Sequence, residues 1–191
     1  MPAQKTSKED ILKKALMVFR KQGYHATSIA DLSKVCDIPK SHFYYYFENK
    51  ESLMAEILQV VEVYFRERVM AVAIDPSLGP HERLENLGER LKKVYKSETG
   101  GCIMGNTVLE TMHLGMDQAF APVLKSFFDG MIEALHIIYQ EVHTEEIAKE
   151  MAEAGVQDLQ GGIMLMQLYD DKHYMHAAIQ RTQNRLLTPN P

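Results

Sequence analysis

The chain has 191 residues, of which 46% are hydrophobic and 25% are charged, values typical of a globular protein and not of a disordered one. Its two cysteines, Cys36 and Cys102, are too few for a disulfide scaffold or a four-cysteine zinc site. No apolar run approaches the roughly 18 residues of a membrane span, and the polar N-terminus has no signal-peptide stretch. A cytoplasmic protein is therefore expected.

The net charge of −5 is distributed unevenly along the chain. Residues 1–50 carry nine Lys and Arg against five Asp and Glu, whereas residues 51–191 carry twelve against twenty-one. This distribution indicates that only the basic N-terminal quarter binds a polyanion. The alternative is chance unevenness on solvated faces.

Apolar residues recur at helical spacing along the N-terminal third of the chain. Ser7 and Asp10 form a capping-box pattern, and Gly23 fits just past the end of the first helix. A second helix is expected to begin at residues 27–28. A third, short helix precedes a fourth that Asn49 can cap.

Helical spacing also dominates the remaining two thirds of the chain. The segment DPSLGP, residues 75–80, is the clearest break, and residues 99–106 form a glycine-rich turn. A long helix is predicted over about 120–140, with Pro122 near its first turn. Another helix is predicted over 144–168, and a last one follows it. No sustained period-2 alternation occurs, so the fold class is all-α.

The most informative segment is TSIADLSKVCDIPKSHFYYYFENK, which runs from Thr27 to Lys50. It predicts two short helices joined by a tight turn. The apolar positions expected to form their core are Ile29, Leu32, Val35, Ile38, Phe43 and Phe47. The residues left on the other face of the second helix are Lys40, Ser41, His42, Tyr44, Tyr45 and Tyr46. Such a helix, crossed steeply by its partner, fits the major groove as the recognition element of a helix-turn-helix.

The residue types on this face suit DNA. Lys40 and Lys50 can neutralise phosphates, and tyrosine hydroxyls can bond phosphates or base edges. The N-termini of the helices that begin near Ser28 and Lys50 can direct free backbone N–H groups at phosphates. The predicted DNA-binding residues are Thr27, Ser28, Lys40, Ser41, His42, Tyr44, Tyr45, Tyr46 and Lys50. A plain packing unit is the alternative, although three consecutive tyrosines cannot all face inward on a helix.

This segment resembles the DNA-binding signature of the TetR family of transcriptional regulators. The matching residues are Gly23-Tyr24, Thr27-Ser28, Tyr44-Tyr45-Tyr46-Phe47 and Lys50, with Glu51 and Leu53 continuing the register. Weaker similarities occur at GCIMGN, residues 101–106, followed by Leu109-Glu110, and at LQGGIMLMQL, residues 159–168. The resemblance therefore extends over almost the whole chain.

Two positions depart from the family pattern. Asp37 stands where the turn usually has glycine, and aspartate tolerates the left-handed conformation at modest cost. Pro39 stands where the recognition helix often begins with a serine cap, and proline cannot cap. The operator preference of relatives is therefore not transferred to this chain.

The resemblance implies a helix-turn-helix DNA-binding domain over residues 1–48 and an effector-binding and dimerisation domain over residues 49–191. It also implies a homodimer formed by the last two helices, bound to a palindromic double-stranded DNA operator and released by a small-molecule effector. The continuity from Asn49 to Val72 predicts a rigid lever between the domains. Ten of the twelve methionines lie beyond residue 50, which favours an apolar or aromatic effector, plain core packing being the alternative. The predicted effector-binding residues are Tyr64, Tyr95, Cys102, Met104, Met112, His113, Phe120, Phe127 and Met131.

The sequence also offers alternatives to a repressor of this kind. Cys102 lies in a glycine-rich turn before a helix, where free N–H groups could stabilise its thiolate, as a redox or electrophile sensor requires. The alternative is that Cys102 is a small buried apolar residue. His173 and His176 with residues 170–171 have the residue types of a metal site, but solvated polar side chains explain them, and neither metal nor cofactor is expected. A helical sensor or adaptor without DNA binding is a further alternative. No catalytic motif occurs, so the chain is not expected to be an enzyme.

Overall fold

The computed structural model describes residues 7–96, 101–112 and 117–187. Over these ranges the chain forms nine α-helices and one 3-10 helix and no β-strand, which confirms the predicted all-α class. The helices are α1 Lys8–Gln22, α2 Ile29–Cys36, α3 Lys40–Tyr46, α4 Lys50–Arg68, the 3-10 helix Met70–Ile74, α5 Pro80–Val94, α6 Ile103–Thr111, α7 Asp117–Tyr139, α8 Glu145–Tyr169 and α9 His173–Arg185.

The chain packs as two compact units. The first comprises Met1–Val61 and Ile103–Leu124, and the second comprises Glu62–Cys102 and Lys125–Pro191. Packing units are defined by which residues contact one another and not by what they bind. The functional division into residues 1–48 and 49–191 stays a prediction.

Local signals placed the first helices correctly. The Ser7 and Asp10 side chains each accept from the other's backbone N–H, which completes the capping box of α1, and Gly23 ends that helix with a φ of 83°. Asn49 Oδ1 accepts from the Ser52 backbone N–H at 2.8 Å, so the predicted cap of α4 is present.

Three expectations about local structure were wrong. Val35 is 49% exposed, because Cys36 beside it takes the buried position on α2. Helix α6 begins at Ile103 and carries Gly105 in its first turn, so the glycine-rich turn ends earlier than residue 106. Pro122 lies inside α7, beyond its first turn, because that helix already begins at Asp117.

In the second unit, α8 and α9 approach each other closely at a small residue. A Cβ atom at Gly162 would lie 2.7 Å from the Ala178 Cβ and 2.9 Å from the Tyr174 carbonyl oxygen. Because real Cβ atoms do not come this close to backbone, only glycine fits there without moving α9.

Helix α7 and the turn that follows it supply side chains that bond to the end of α9. The Tyr139 hydroxyl donates to the Thr182 carbonyl at 2.7 Å, and the His143 Nε2 lies 3.1 Å from the Arg185 carbonyl. The last carbonyl groups of a helix have no partner within the helix, so these contacts replace water at a buried helix end.

None of the helices in the described ranges combines the length and apolarity that a membrane span requires. Within the same ranges no three His, Cys, Asp or Glu side chains come together as a metal site, His173 and His176 included.

Candidate functional site

The turn between α2 and α3 determines how the candidate recognition helix is presented. Asp37 adopts the left-handed conformation, with φ 55° and ψ 48°, as expected for this glycine-replacing position. The Ile38 N–H bonds back to the Ser33 carbonyl at 3.0 Å, which closes the turn. Pro39 precedes α3 and provides no side-chain cap, also as expected.

The inward face of α3 is held by aromatic packing. Phe43 is completely buried and Phe47 is 2% exposed, and their ring centroids are 5.4 Å apart. The Lys8 ammonium lies 5.3 Å from the centre of the Phe47 ring and forms an ion pair with Glu56 at 2.7 Å. These contacts connect α1, α3 and α4 around one core, within the first unit.

The outward face of α3 carries most of the predicted DNA-binding residues. Lys40 and Ser41 are exposed, Tyr44 is 54% exposed and Tyr45 is 79% exposed. At least one of three consecutive tyrosines was expected outside the core, and two are. An α-helical turn that exposes a cation, a hydroxyl and two phenols has the donors that bind phosphate oxygens and base edges.

His42 and Tyr46 are half-buried and flank the exposed tyrosines. The His42 ring lies 5.4 Å from the Tyr46 ring and 6.3 Å from the Tyr45 ring, measured between centroids. The His42 Nε2 is buried and has no hydrogen-bond partner among the described residues. These two side chains therefore orient the aromatic surface as well as contributing to it.

Two predicted DNA-binding residues before α2 form hydrogen bonds within the protein. Thr27 is 1% exposed and its hydroxyl donates to the Gly23 carbonyl at 2.7 Å. The exposed Ser28 forms a capping box with Asp31, whose side chain accepts from the Ser28 N–H at 2.9 Å. The Thr27 side chain is directed into the protein, whereas Ser28 remains at the surface.

Lys50 also turns inward. Its Nζ donates to the carbonyls of Tyr24 at 2.8 Å and Thr27 at 2.9 Å, and lies 4.3 Å from the centre of the Tyr24 ring. Burial lowers the pKa of the Lys50 ammonium, and the nearby Glu110 carboxylate opposes that shift. The amine therefore fastens the start of α4 to the segment between α1 and α2.

Glu110 of α6 holds the same segment and was not singled out as a site residue. Its Oε2 accepts from the backbone N–H groups of Tyr24 at 2.7 Å and His25 at 3.1 Å, and its own carbonyl lies 3.1 Å from the His25 Nε2. A Cβ atom at Gly23 would lie 2.8 Å from the Glu110 Oε1 and would displace this carboxylate, and the φ of 83° at Gly23 also favours glycine there. No local pattern could reveal a contact between residues 86 positions apart.

Known proteins share the fold of this chain and the sequence pattern of its N-terminal segment. The family model described as "Bacterial regulatory proteins, tetR family" matches residues 11–57, which include α2 and α3. A solved TetR transcriptional regulator from Legionella pneumophila superposes with a TM-score of 0.83 at 21% identity, over 96% of this chain and 98% of that chain.

Curated relatives match most of the chain. The transcriptional repressor DhaR of Mycobacterium sp. strain GP1 is 24% identical over 166 residues, which are 84% of this chain and 82% of DhaR. The transcriptional regulator LmrA of Bacillus subtilis strain 168 is 29% identical over 175 residues, which are 83% of this chain and 85% of LmrA. The chain has the fold of TetR transcriptional regulators, and its residues 11–57 match the TetR family of bacterial regulatory proteins. These relatives are regulators and not enzymes, in agreement with the sequence prediction.

Three predicted effector-binding residues lie in the first unit. Met104 and Phe120 are completely buried, and the Phe120 ring meets the Tyr24 ring edge-on with centroids 5.5 Å apart. Met112 is half-buried just past the end of α6, and His113 lies outside the described residues. Phe120 thus packs against the segment that Lys50 and Glu110 hold.

The other predicted effector-binding residues lie in the second unit. Tyr64 is 50% exposed, whereas Tyr95, Phe127 and Met131 are each at most 6% exposed. Tyr95 and Phe127 are brought together by Phe65, whose ring centroid is 6.5 Å from Tyr95 and 4.9 Å from Phe127. Phe65 was not predicted, although it lies on α4 beside Tyr64.

A buried carboxylate lies on the same stretch of α4. Glu62 is 4% exposed, accepts from the Ser126 hydroxyl at 3.2 Å and pairs with Arg66 at 3.2 Å. Glu62 and Phe65 are three residues apart and therefore share a helix face. Buried aromatic rings beside a few polar groups are the usual composition of a small-molecule site.

The Cys102 thiol lies just before α6 and is 5% exposed. The Gln160 Nε2 donates to its Sγ at 3.8 Å. Cys36 is completely buried, and burial raises the pKa of its thiol while Lys14 opposes that shift. Both thiols are packed into the protein.

Proposed function

We propose that this TetR-family regulator is a ligand-responsive repressor, released from a palindromic operator by a small apolar or aromatic effector. The observation that carries the DNA-binding part is the exposed face of α3, with Tyr45 79% exposed beside Lys40. The buried side chains of Phe43 and Phe47 hold the opposite face of α3 against the core. Since DNA is its partner, we expect the protein in the cytoplasm.

Exposed apolar residues on α8 support a homodimer formed through α8 and α9. Met164, Leu168 and Tyr169 are each more than half exposed, and nothing lies within 4 Å of where a Cβ of Gly161 would be. Exposed apolar residues at helical spacing beside a small residue suit a self-complementary, two-fold interface. Such a dimer presents two copies of α3 to successive major grooves, which accounts for a palindromic operator.

The effector region we propose is the aromatic cluster of Phe65, Tyr95 and Phe127, with Glu62 and Ser126 as its polar groups. An effector that prefers the conformation with wrongly spaced recognition helices releases DNA by an amount set by its differential affinity. An effector that binds tightly but leaves operator affinity unchanged contradicts this coupling.

The first test is selection of bound sequences from a random duplex pool at two salt concentrations. We expect enrichment of a palindrome and an affinity that falls steeply with salt. Tyr45→Ala is expected to change the enriched bases, whereas Tyr45→Phe, which keeps the ring, separates the role of the hydroxyl group. An unchanged preference in both variants removes Tyr45 from base recognition.

A folded dimer that enriches no sequence, with and without candidate effectors, would favour the helical sensor or adaptor. In that case Lys40, Tyr44 and Tyr45 are replaceable without consequence for the regulated phenotype.

A further inference from the structure

A surface pocket of about 330 Å³ lies in the second unit, where the end of α5, the end of α8 and the start of α9 meet. This volume is at the lower end of the range of roughly 300–1,000 Å³ found for small-molecule sites. Its lining residues are Glu89, Lys92, Lys93, Tyr95, Lys96, Met166, Lys172, Met175 and His176. Only Tyr95 was among the predicted effector-binding residues.

The deep part of this pocket is apolar. Tyr95 is 6% exposed and Met175 is 2% exposed, and the half-buried Met166 lies on the facing helix. Thioether and phenol surfaces adapt to apolar groups of varied shape. The floor therefore suits a short hydrocarbon chain or an aromatic ring.

The rim of the pocket is cationic. Lys93, Lys96, Lys172 and His176 are exposed, and Lys92 forms an ion pair with Glu89 at 2.7 Å. The hydrogen bond from Lys92 lowers the pKa of the Glu89 carboxyl, and the charges of Lys92, Lys93 and His176 act in the same direction. A carboxylate placed at this rim is thus stabilised by several cations. This cluster of cations stands out, because Asp and Glu outnumber Lys and Arg over residues 51–191.

On α8, the pocket residue Met166 lies on a different face from two residues of the proposed dimer surface, Met164 and Leu168. Successive residues of a helix are rotated by about 100°, so Met166 points roughly opposite to Met164 and Leu168 on α8. Ligand entry at Met166 and subunit contact at Met164 and Leu168 therefore use different sides of one helix.

We propose that this pocket binds a small organic anion, with an acidic head group at the lysine rim and an apolar body against Tyr95, Met166 and Met175. The site shares Tyr95 with the aromatic cluster assigned to the effector, and its other lining residues lie outside that cluster. It requires neither operator binding nor dimerisation, so it is tested without DNA.

The test is isothermal titration of the full-length protein with three matched probes: octanoate, acetate and octanol. Octanoate is expected to bind saturably and more weakly as salt rises, since screening reduces the attraction of exposed charges. Acetate, which lacks the apolar body, and octanol, which lacks the charge, are each expected to bind at least about tenfold more weakly, a difference of about 1.4 kcal/mol.

Variants locate the site. The double variant Lys93→Glu/Lys96→Glu is expected to weaken octanoate binding roughly tenfold, whereas Lys125→Glu/Lys149→Glu, at exposed lysines elsewhere, leaves it within about twofold. Glu89→Gln removes the acid that competes for Lys92 and is expected to strengthen binding about two- to fivefold. An increase cannot result from misfolding, so this variant keeps the proposal falsifiable if the double variant fails to fold.

Equal affinity for acetate and octanoate would show that only charge contributes to binding. Equal affinity for octanol and octanoate would show that only the apolar surface contributes. Either outcome overturns the proposal, as does octanoate binding that Glu89→Gln leaves unchanged. These outcomes leave the proposed repressor function intact, because operator selection measures that function independently.

Discussion

The Glu110 carboxylate of α6 lies 2.7 Å from the backbone nitrogen of Tyr24, which belongs to the segment between α1 and α2. The same oxygen accepts from His25 at 3.1 Å. One side chain therefore satisfies two backbone donors in the domain that contains the candidate recognition helix.

Removal of this acceptor is expected to destabilise the protein. Glu110→Ala leaves the partly buried Tyr24 N–H without its acceptor, at a cost of about 1–3 kcal/mol in unfolding free energy. Glu110→Gln keeps one acceptor oxygen and is expected to lose less. Urea unfolding measures the change, with the exposed Glu85→Ala as control, and equal stability of Glu110→Ala and the control would contradict the assignment.

Lys50 and Lys40 are expected to act differently on DNA binding. Lys50→Ala removes the amine that holds the Tyr24 and Thr27 carbonyls, so it is expected to lower unfolding free energy and weaken binding to all duplexes alike. Lys40→Ala, at an exposed position, is expected to lower the salt slope of DNA affinity by about one without loss of stability. A salt slope that also falls by about one in Lys50→Ala would show that its amine reaches a phosphate.

The proposed dimer surface can be broken by charge. Leu168→Arg places a cation where the dimer buries a leucine, and burying such a side chain contributes about 1.5–3 kcal/mol. Sedimentation velocity is expected to show monomers at concentrations where the unmodified protein is dimeric. Leu109→Arg, at a residue 72% exposed on α6, is the matched control and should remain dimeric. Dissociation of both variants alike would indicate a general loss of folding.

Burial of the thiols argues against the redox alternative. Cys102 is 5% exposed and Cys36 is completely buried, so both are expected to react slowly with a thiol reagent in the folded protein and rapidly in urea. Cys102→Ser is expected to keep operator binding and its release by effector. Rapid reaction of native Cys102 together with loss of operator binding would instead favour a redox or electrophile sensor.

Two buried tyrosines predict a loss of stability at alkaline pH. Burial raises the pKa of Tyr24 to about 12 and also raises the pKa of Tyr139, whose hydroxyl donates to Thr182. The folded state then holds protons that the unfolded state releases near pH 10, so stability is complete below pH 10 and falls as pH rises above it. Urea midpoints at several pH values should fall less steeply in Tyr139→Phe, and Tyr45→Phe, at an exposed ring, should keep the original slope.

The sequence predicted what depends on neighbouring residues. The Ser7–Asp10 box, the Asn49 cap and the left-handed Asp37 follow from interactions within three residues, and each is present. The exposure of Tyr45 also follows from helix geometry alone.

Features that depend on distant packing were not predictable in this way. The inward turn of Lys50 depends on carbonyls 26 and 23 positions away, and the Glu110 contact joins residues from two different regions of the chain. The exposure of Val35 reflects which side of α2 meets its neighbours, and apolar residues at 35 and 36 left both sides available. The cationic pocket combines residues from three helices that no single motif connects.

Surface segments between helices usually tolerate insertions, because few contacts depend on their length. Residues 24–27 are an exception, since Glu110 bonds the N–H groups at the start of this segment and Lys50 bonds the carbonyls at both of its ends. One extra residue here would pull at least one of these bonded groups away from its partner on α4 or α6. The spacing between α1 and α2 is therefore fixed in length, and a library of single-residue insertions across the chain should retain few functional variants at this position.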